Sequence, residues 1–158
     1  MANPKGKQPD FDFIKARRNI IDGLGATLTL KQNQSGACVV LDRAAGTTVT
    51  LPAGANKGTF YEFMVSVTKS GGSDKVITAA ATELLVGSIL NCDTDTSDAV
   101  AIWKALVGSA YLSVNLNGST KGGIKGDRFR LTKLNDTTWQ VEGVTNGTGV
   151  VITPFATS

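Results

Sequence analysis

The chain contains no histidine. That removes the side chain most often used as a general base and as a metal ligand. It has only two cysteines, Cys38 and Cys92, at a separation that fits neither a CxxC motif nor a zinc site. Cys38 stands inside an apolar run, which suits a buried thiol; the sequence alone leaves a Cys38–Cys92 disulfide open. No apolar run approaches the ~20 residues of a membrane helix. Met1 to Phe13 carries basic residues with no apolar stretch behind them. This is unlike a secretory signal, so a soluble chain made in a cytoplasm is expected. Only 18% of residues are charged and the net charge is +3, too small and dispersed to imply a nucleic-acid binder.

What the chain does have is glycine, threonine and valine. Eighteen glycines in 158 residues, set among β-branched residues, fit many short strands joined by tight turns. Ala37–Gly54, ACVVLDRAAGTTVTLPAG, is the most informative stretch. Two strand-like runs, Cys38–Leu41 and Thr47–Leu51, flank a small turn, and Pro52 then removes a backbone donor. The reading is a compact antiparallel sheet with no catalytic content.

The same logic extends along the chain. Leu28 and Leu30 alternate with polar residues. In Thr59–Thr68, Tyr61, Phe63, Val65 and Val67 form an apolar face, opposite Phe60, Glu62, Met64 and Ser66. Val76–Ala80, Leu84–Leu90, Tyr111–Leu116, a stretch through Phe129 and Leu131, Thr138–Gly143 and Val150–Thr153 complete roughly nine to eleven expected strands. Val100–Gly108 suits helix or strand equally. Asn117-Gly118 and Asn146-Gly147 are good tight-turn pairs. Trp139 alternates with Val141 and is expected in the core; Trp103 suits either the core or an interface. At 158 residues one domain is expected, able to bury roughly 70% of its unfolded surface without disulfide or metal.

Residues 1–25 differ from the rest. Pro4, Gly6 and Pro9 interrupt regular structure. Phe11, Phe13, Ile14, Ile20 and Ile21 then supply more apolar anchors than a disordered tail usually holds. Asp10 could N-cap a short helix ended by Gly23; an extended arm lying on a neighbour fits as well. The expected organisation is an N-terminal attachment arm, 1–25, and a β-sandwich domain, 26–158.

Candidate chemistry is sparse. Asp93, Asp95 and Ser97 take the first, third and fifth positions of a calcium loop, but Asp98 and Lys104 replace its Gly and Glu, so the EF-hand pattern fails. Gly71-Gly72 and Gly122-Gly123 lack any phosphate-loop context. No cofactor or metal is expected.

Four segments taken together resemble a known class: GACVVLDRAAGTTVTLPAG (36–54), FYEFMVSVT (60–68), GDRFRLTKL (126–134) and TTWQVEGV (137–144). Their order resembles the small β-sandwich cement, or decoration, proteins of tailed bacteriophage capsids, over about residues 26–158. Similar openings occur in phage tail-fibre and adhesin-like modules. The resemblance implies an all-β, antiparallel, jelly-roll-like sandwich with an N-terminal arm. It implies no enzyme, but a homotrimer that binds the major capsid protein on the virion surface and bridges neighbouring subunits, with neither nucleic acid nor membrane as partner. Lys5, Lys7, Phe11, Phe13, Ile14, Arg17 and Arg18 are the expected capsid contacts of the arm. The alternative is a tail or fibre module binding a host glycan, which predicts an exposed aromatic cluster near Tyr111 or Trp103. A glycan-cleaving enzyme has the least support, because no carboxylate pair stands in a recognisable context.

Overall fold

A computed structural model describes residues 19–95 and 100–158. The described chain is all-β, with twelve strands in two sheets. They are β1 (Ile20–Ile21), β2 (Thr27–Thr29), β3 (Cys38–Leu41), β4 (Thr48–Thr50), β5 (Phe60–Val65), β6 (Asp74–Ile77), β7 (Leu84–Asp93), β8 (Val100–Ala105), β9 (Ser113–Leu116), β10 (Arg128–Asn135), β11 (Thr138–Gly147) and β12 (Phe155–Ala156). The seven-stranded sheet runs β1-β3-β5-β10-β11-β7-β8 and the five-stranded sheet β12-β9-β6-β4-β2. The expected two-sheet, sandwich-like architecture is present.

The pairing inside it is mixed rather than antiparallel throughout. From β1 to β6 the chain alternates between the two sheets at every strand. β1–β3, β3–β5, β2–β4 and β4–β6 are therefore parallel neighbours. Parallel strands need a crossover between them, and here each crossover is itself a strand of the opposite sheet. The first half is thus a flattened coil. The second half adds the hairpins β7–β8 and β10–β11, with β11 lying parallel to β7. The Ala37–Gly54 reading is corrected accordingly: β3 and β4 are consecutive but lie in different sheets and do not pair. Alternation reveals which face a side chain takes, and is silent on which strand lies beside it.

Glycine permits the stacking of successive coils. Gly46, in the β3–β4 turn, has φ +80°, and a side chain there would collide with the backbone of Ser73. A side chain at Gly72 would in turn meet the carbonyl of Ala45. The two turns lie directly against each other, and only hydrogens fit between them.

The core lies between the sheets. Val39, Leu41, Tyr61, Phe63, Leu85, Ile89, Leu131, Trp139 and Val141 come from the larger sheet, and Val49, Val76, Val114 and Leu116 from the smaller. Phe63 and Phe129 stack with ring centroids 4.8 Å apart. Trp139 is fully buried, as its alternation predicted, and its indole N–H donates to Glu83 Oε2 at 2.9 Å. Glu83 Oε1 pairs with buried Lys133 at 2.9 Å. The Lys133 ammonium also donates to the Asp136 carbonyl and stands 5.1 Å from the Trp139 ring. The charge is thus matched and hydrogen-bonded, the condition for tolerating it inside.

Several local expectations resolve. Val100–Gly108 is strand β8 followed by a turn. Val150–Thr153 is not a strand; the last strand is β12, from Phe155. Asn146-Gly147 is not a turn but the end of β11, because the Asp127 carboxylate accepts from both the backbone and the side-chain amide of Asn146, at 2.8 and 2.7 Å. Ile20 and Ile21 are extended and paired with β3, so no helix runs through to Gly23. The Asp42 carboxylate then accepts from the backbone N–H groups of Gly23 and Leu24. Cys38 and Cys92 are thiols. Their strands are four positions apart in the sheet, about 19 Å at ordinary strand spacing, well beyond disulfide reach.

Candidate interaction face

Strand alternation sends every second side chain of the larger sheet away from the core. The registers align these into rows across the strands. One row runs Ile20, Cys38, Glu62, Arg130, Glu142, Ser88, Lys104. The next runs Val40, Met64, Arg128, Val144, Leu90, Ile102. The first is a ladder with Arg130 directly between two carboxylates. The second is apolar except for Arg128.

The two rows bound a shallow groove of about 530 Å³ over β5, β10 and β11, lined by Glu62, Met64, Arg128, Arg130, Glu142 and Val144 together with Phe63, Phe129 and Gly143. Arg130 lies across the Phe60 ring at 4.1 Å from its centroid, a cation–π contact that holds the guanidinium flat along the sheet. Its Nε has no hydrogen-bond partner within the described residues. Met64 and Val144 are among the exposed large apolar side chains. Opposite charges side by side on neighbouring strands support each other. The face is therefore electrically balanced, apolar along one line, and open.

A second polar cluster lies at one end of the sandwich. Asp127 is buried, and its carboxylate also accepts from the backbone N–H groups of Gly123 and Ile124 at 2.8 and 3.1 Å. Burial pushes this carboxyl above the ordinary range despite those hydrogen bonds. All its partners are loop and strand groups of the chain itself, so its role is to tie the 119–124 turn to β11. In the acidic loop, Asp93 accepts from Asp95 N and Asp95 accepts from Gly149 N. These bonds fasten the end of β7 to the segment after β11. Ser97 and Asp98 lie outside the described residues. Among the described residues, no group of three or more histidine, cysteine or acidic side chains could hold a metal ion.

The expected capsid contacts Lys5, Lys7, Phe11, Phe13, Ile14, Arg17 and Arg18 all lie outside the described residues. The described chain begins at Asn19, whose carbonyl accepts from Cys38 N, at the β1 edge of the open face. Tyr111 packs on Phe155 with ring centroids 5.6 Å apart. Tyr111 and Trp103 are both half-buried against the core and form no outward platform. Sequence reasoning placed Glu62 and Met64 on one face of β5 but did not assemble that face. Its signal was the apolar Met64 and Val144 at positions where period-2 alternation calls for polar residues. No protein family, curated protein or solved structure matches this chain.

Proposed function

We propose that this chain is a non-enzymatic structural protein of a tailed bacteriophage, a capsid cement protein that binds the outer shell and bridges neighbouring subunits. The observation that carries the reading is the open face of the seven-stranded sheet, with its apolar row beside a Glu–Arg–Glu ladder. Exposed apolar side chains grouped in one row, broken only at Arg128 and bordered by charge, favour an interaction surface over an ordinary solvated one. The four segment resemblances supply the phage context. Many modest contacts on a repeating shell act together, because each bound site raises the effective concentration of the next.

The test is binding of the purified protein to capsid shells assembled without it. Placing aspartates on the apolar row, Met64→Asp with Val144→Asp, reduces shell binding at least tenfold while the circular dichroism spectrum is unchanged. Removal of residues 1–18, which keeps β1 in place, reduces it separately. Undiminished binding by both variants would contradict the proposal. Binding to a host glycan instead of the shell would assign the face to a tail or fibre module.

A further inference from the structure

The two sheets have four edges, and they are not alike. β1 and β12 are two residues long, and β2 is three, with Thr27 and Thr29 on either side of Leu28. β8 is six residues long, Val100–Ala105, and its register with β7 runs without a bulge. It spans about 20 Å and has no strand partner on its outer side among the described residues. Of its outward side chains, Val100 and Ile102 are apolar and 62% and 60% exposed, and Lys104 is charged; Leu106 and Val107, just after the strand, are 60% and 92% exposed. Lys104 is the single charge on the strand. A long, flat, apolar edge is a template for pairing with another chain, and proteins that do not use such an edge blunt it with proline, bulges or charge.

We propose that β8 pairs antiparallel with β8 of a second copy, about a two-fold axis through Ile102. The strand is self-complementary in that register. Ile102 meets Ile102 of the second copy on the outer face, and Val100 meets the aliphatic stem of Lys104, so no like charges oppose. On the inner face the small Ala101 lies opposite Trp103, leaving room for the indole. Trp103 is half-buried, and its Nε1 is enclosed without a hydrogen-bond partner among the described residues. A register shifted to put Trp103 on the axis would oppose two indoles instead. The pairing also joins the apolar rows of the two copies: Val144, Leu90 and Ile102 of one continue into Ile102, Leu90 and Val144 of the other. An isologous contact of this kind closes on itself at two copies. It does not depend on the capsid reading, and it differs from the three-fold assembly that the phage resemblance implies.

The experiment is sedimentation of the full chain over a range of concentrations, with amide hydrogen exchange on the same samples. The unmodified protein sediments at twice its 16.4 kDa chain mass, with the outward-facing β8 amides protected. Ile102→Lys, which puts two ammonium groups on the axis, sediments at the single-chain mass with those amides exchanging freely and the melting temperature of the isolated fold retained. Val150→Lys, at an exposed apolar site outside β8 (83% exposed), remains paired. A single-chain or three-chain mass for the unmodified protein overturns the proposal, as does an Ile102→Lys variant that stays paired. So does protection of the β8 amides that appears only when capsid shells are added, which would assign the edge to a foreign strand.

Discussion

Lys69 and Asp74 form an ion pair at 2.9 Å with both side chains fully buried. The Lys69 ammonium also donates to the Leu41 and Arg43 carbonyls at 3.1 and 3.0 Å, and Asp74 accepts from Thr47 N at 2.9 Å. One pair therefore ties the β3–β4 connection to the β5–β6 connection, where the flattened coil steps from one turn to the next. Breaking such a pair from one side leaves an uncompensated buried charge. Lys69→Met is expected to lower unfolding free energy by about 3–5 kcal/mol, read from the urea midpoint at unchanged slope. The double variant Lys69→Met, Asp74→Leu recovers part of that loss. A single variant within about 0.5 kcal/mol of the parent would remove the pair from the account.

Asp74 and Asp127 give the fold an unusual response to acid. Desolvation by burial raises both carboxyls above 3.8, outweighing the Lys69 pairing at Asp74 and the amide hydrogen bonds at Asp127. A carboxyl with a folded value above its unfolded one takes up a proton on folding in the window between them. Its contribution to stability is fully present below the unfolded value and is lost as pH rises through the folded value. On acidification from neutrality toward pH 3.8, these two groups therefore add stability. Urea denaturation across that range should show Asp127→Asn, with its titration removed, losing the part of this gain that Asp127 provides in the parent. An identical pH dependence in parent and variant would refute the assignment.

Gly46 tests the stacked turns. Its positive φ and the proximity of the Ser73 backbone act together against any side chain. Gly46→Ala is expected to cost about 2–4 kcal/mol, strain and overpacking combined. Gly54→Ala, at φ +61° with nothing within 4 Å of the new carbon, pays the strain without the collision and costs less. Equal costs in thermal melts would mean that the coil turns do not press on each other as described.

Much of the fold was legible in the sequence, and for a definite reason. A core between two sheets imposes period 2 on each strand, and Tyr61, Phe63, Leu131, Trp139 and Val141 all carry it. Partner choice was not legible. β3 and β4 look like a hairpin because a short turn joins them, yet Cys38 pairs with Glu62 and Thr48 with Lys75, contacts settled by packing far along the chain. Asn146-Gly147 carries a turn signature that the buried Asp127 carboxylate overrides. The open face was half legible: Glu62 and Met64 share a side of β5, but Arg130 and Glu142 join them only through registers invisible in one sequence.

The central claim is that this chain is a shell-binding protein, and its location in an intact particle tests that most directly. Electron cryomicroscopy of particles containing the chain should place it on the outer capsid surface across neighbouring subunits, with the Met64–Val144 side of the larger sheet in contact with protein. Density for the chain on the tail or its fibres, or a capsid-bound position with that face turned to solvent, would contradict the account.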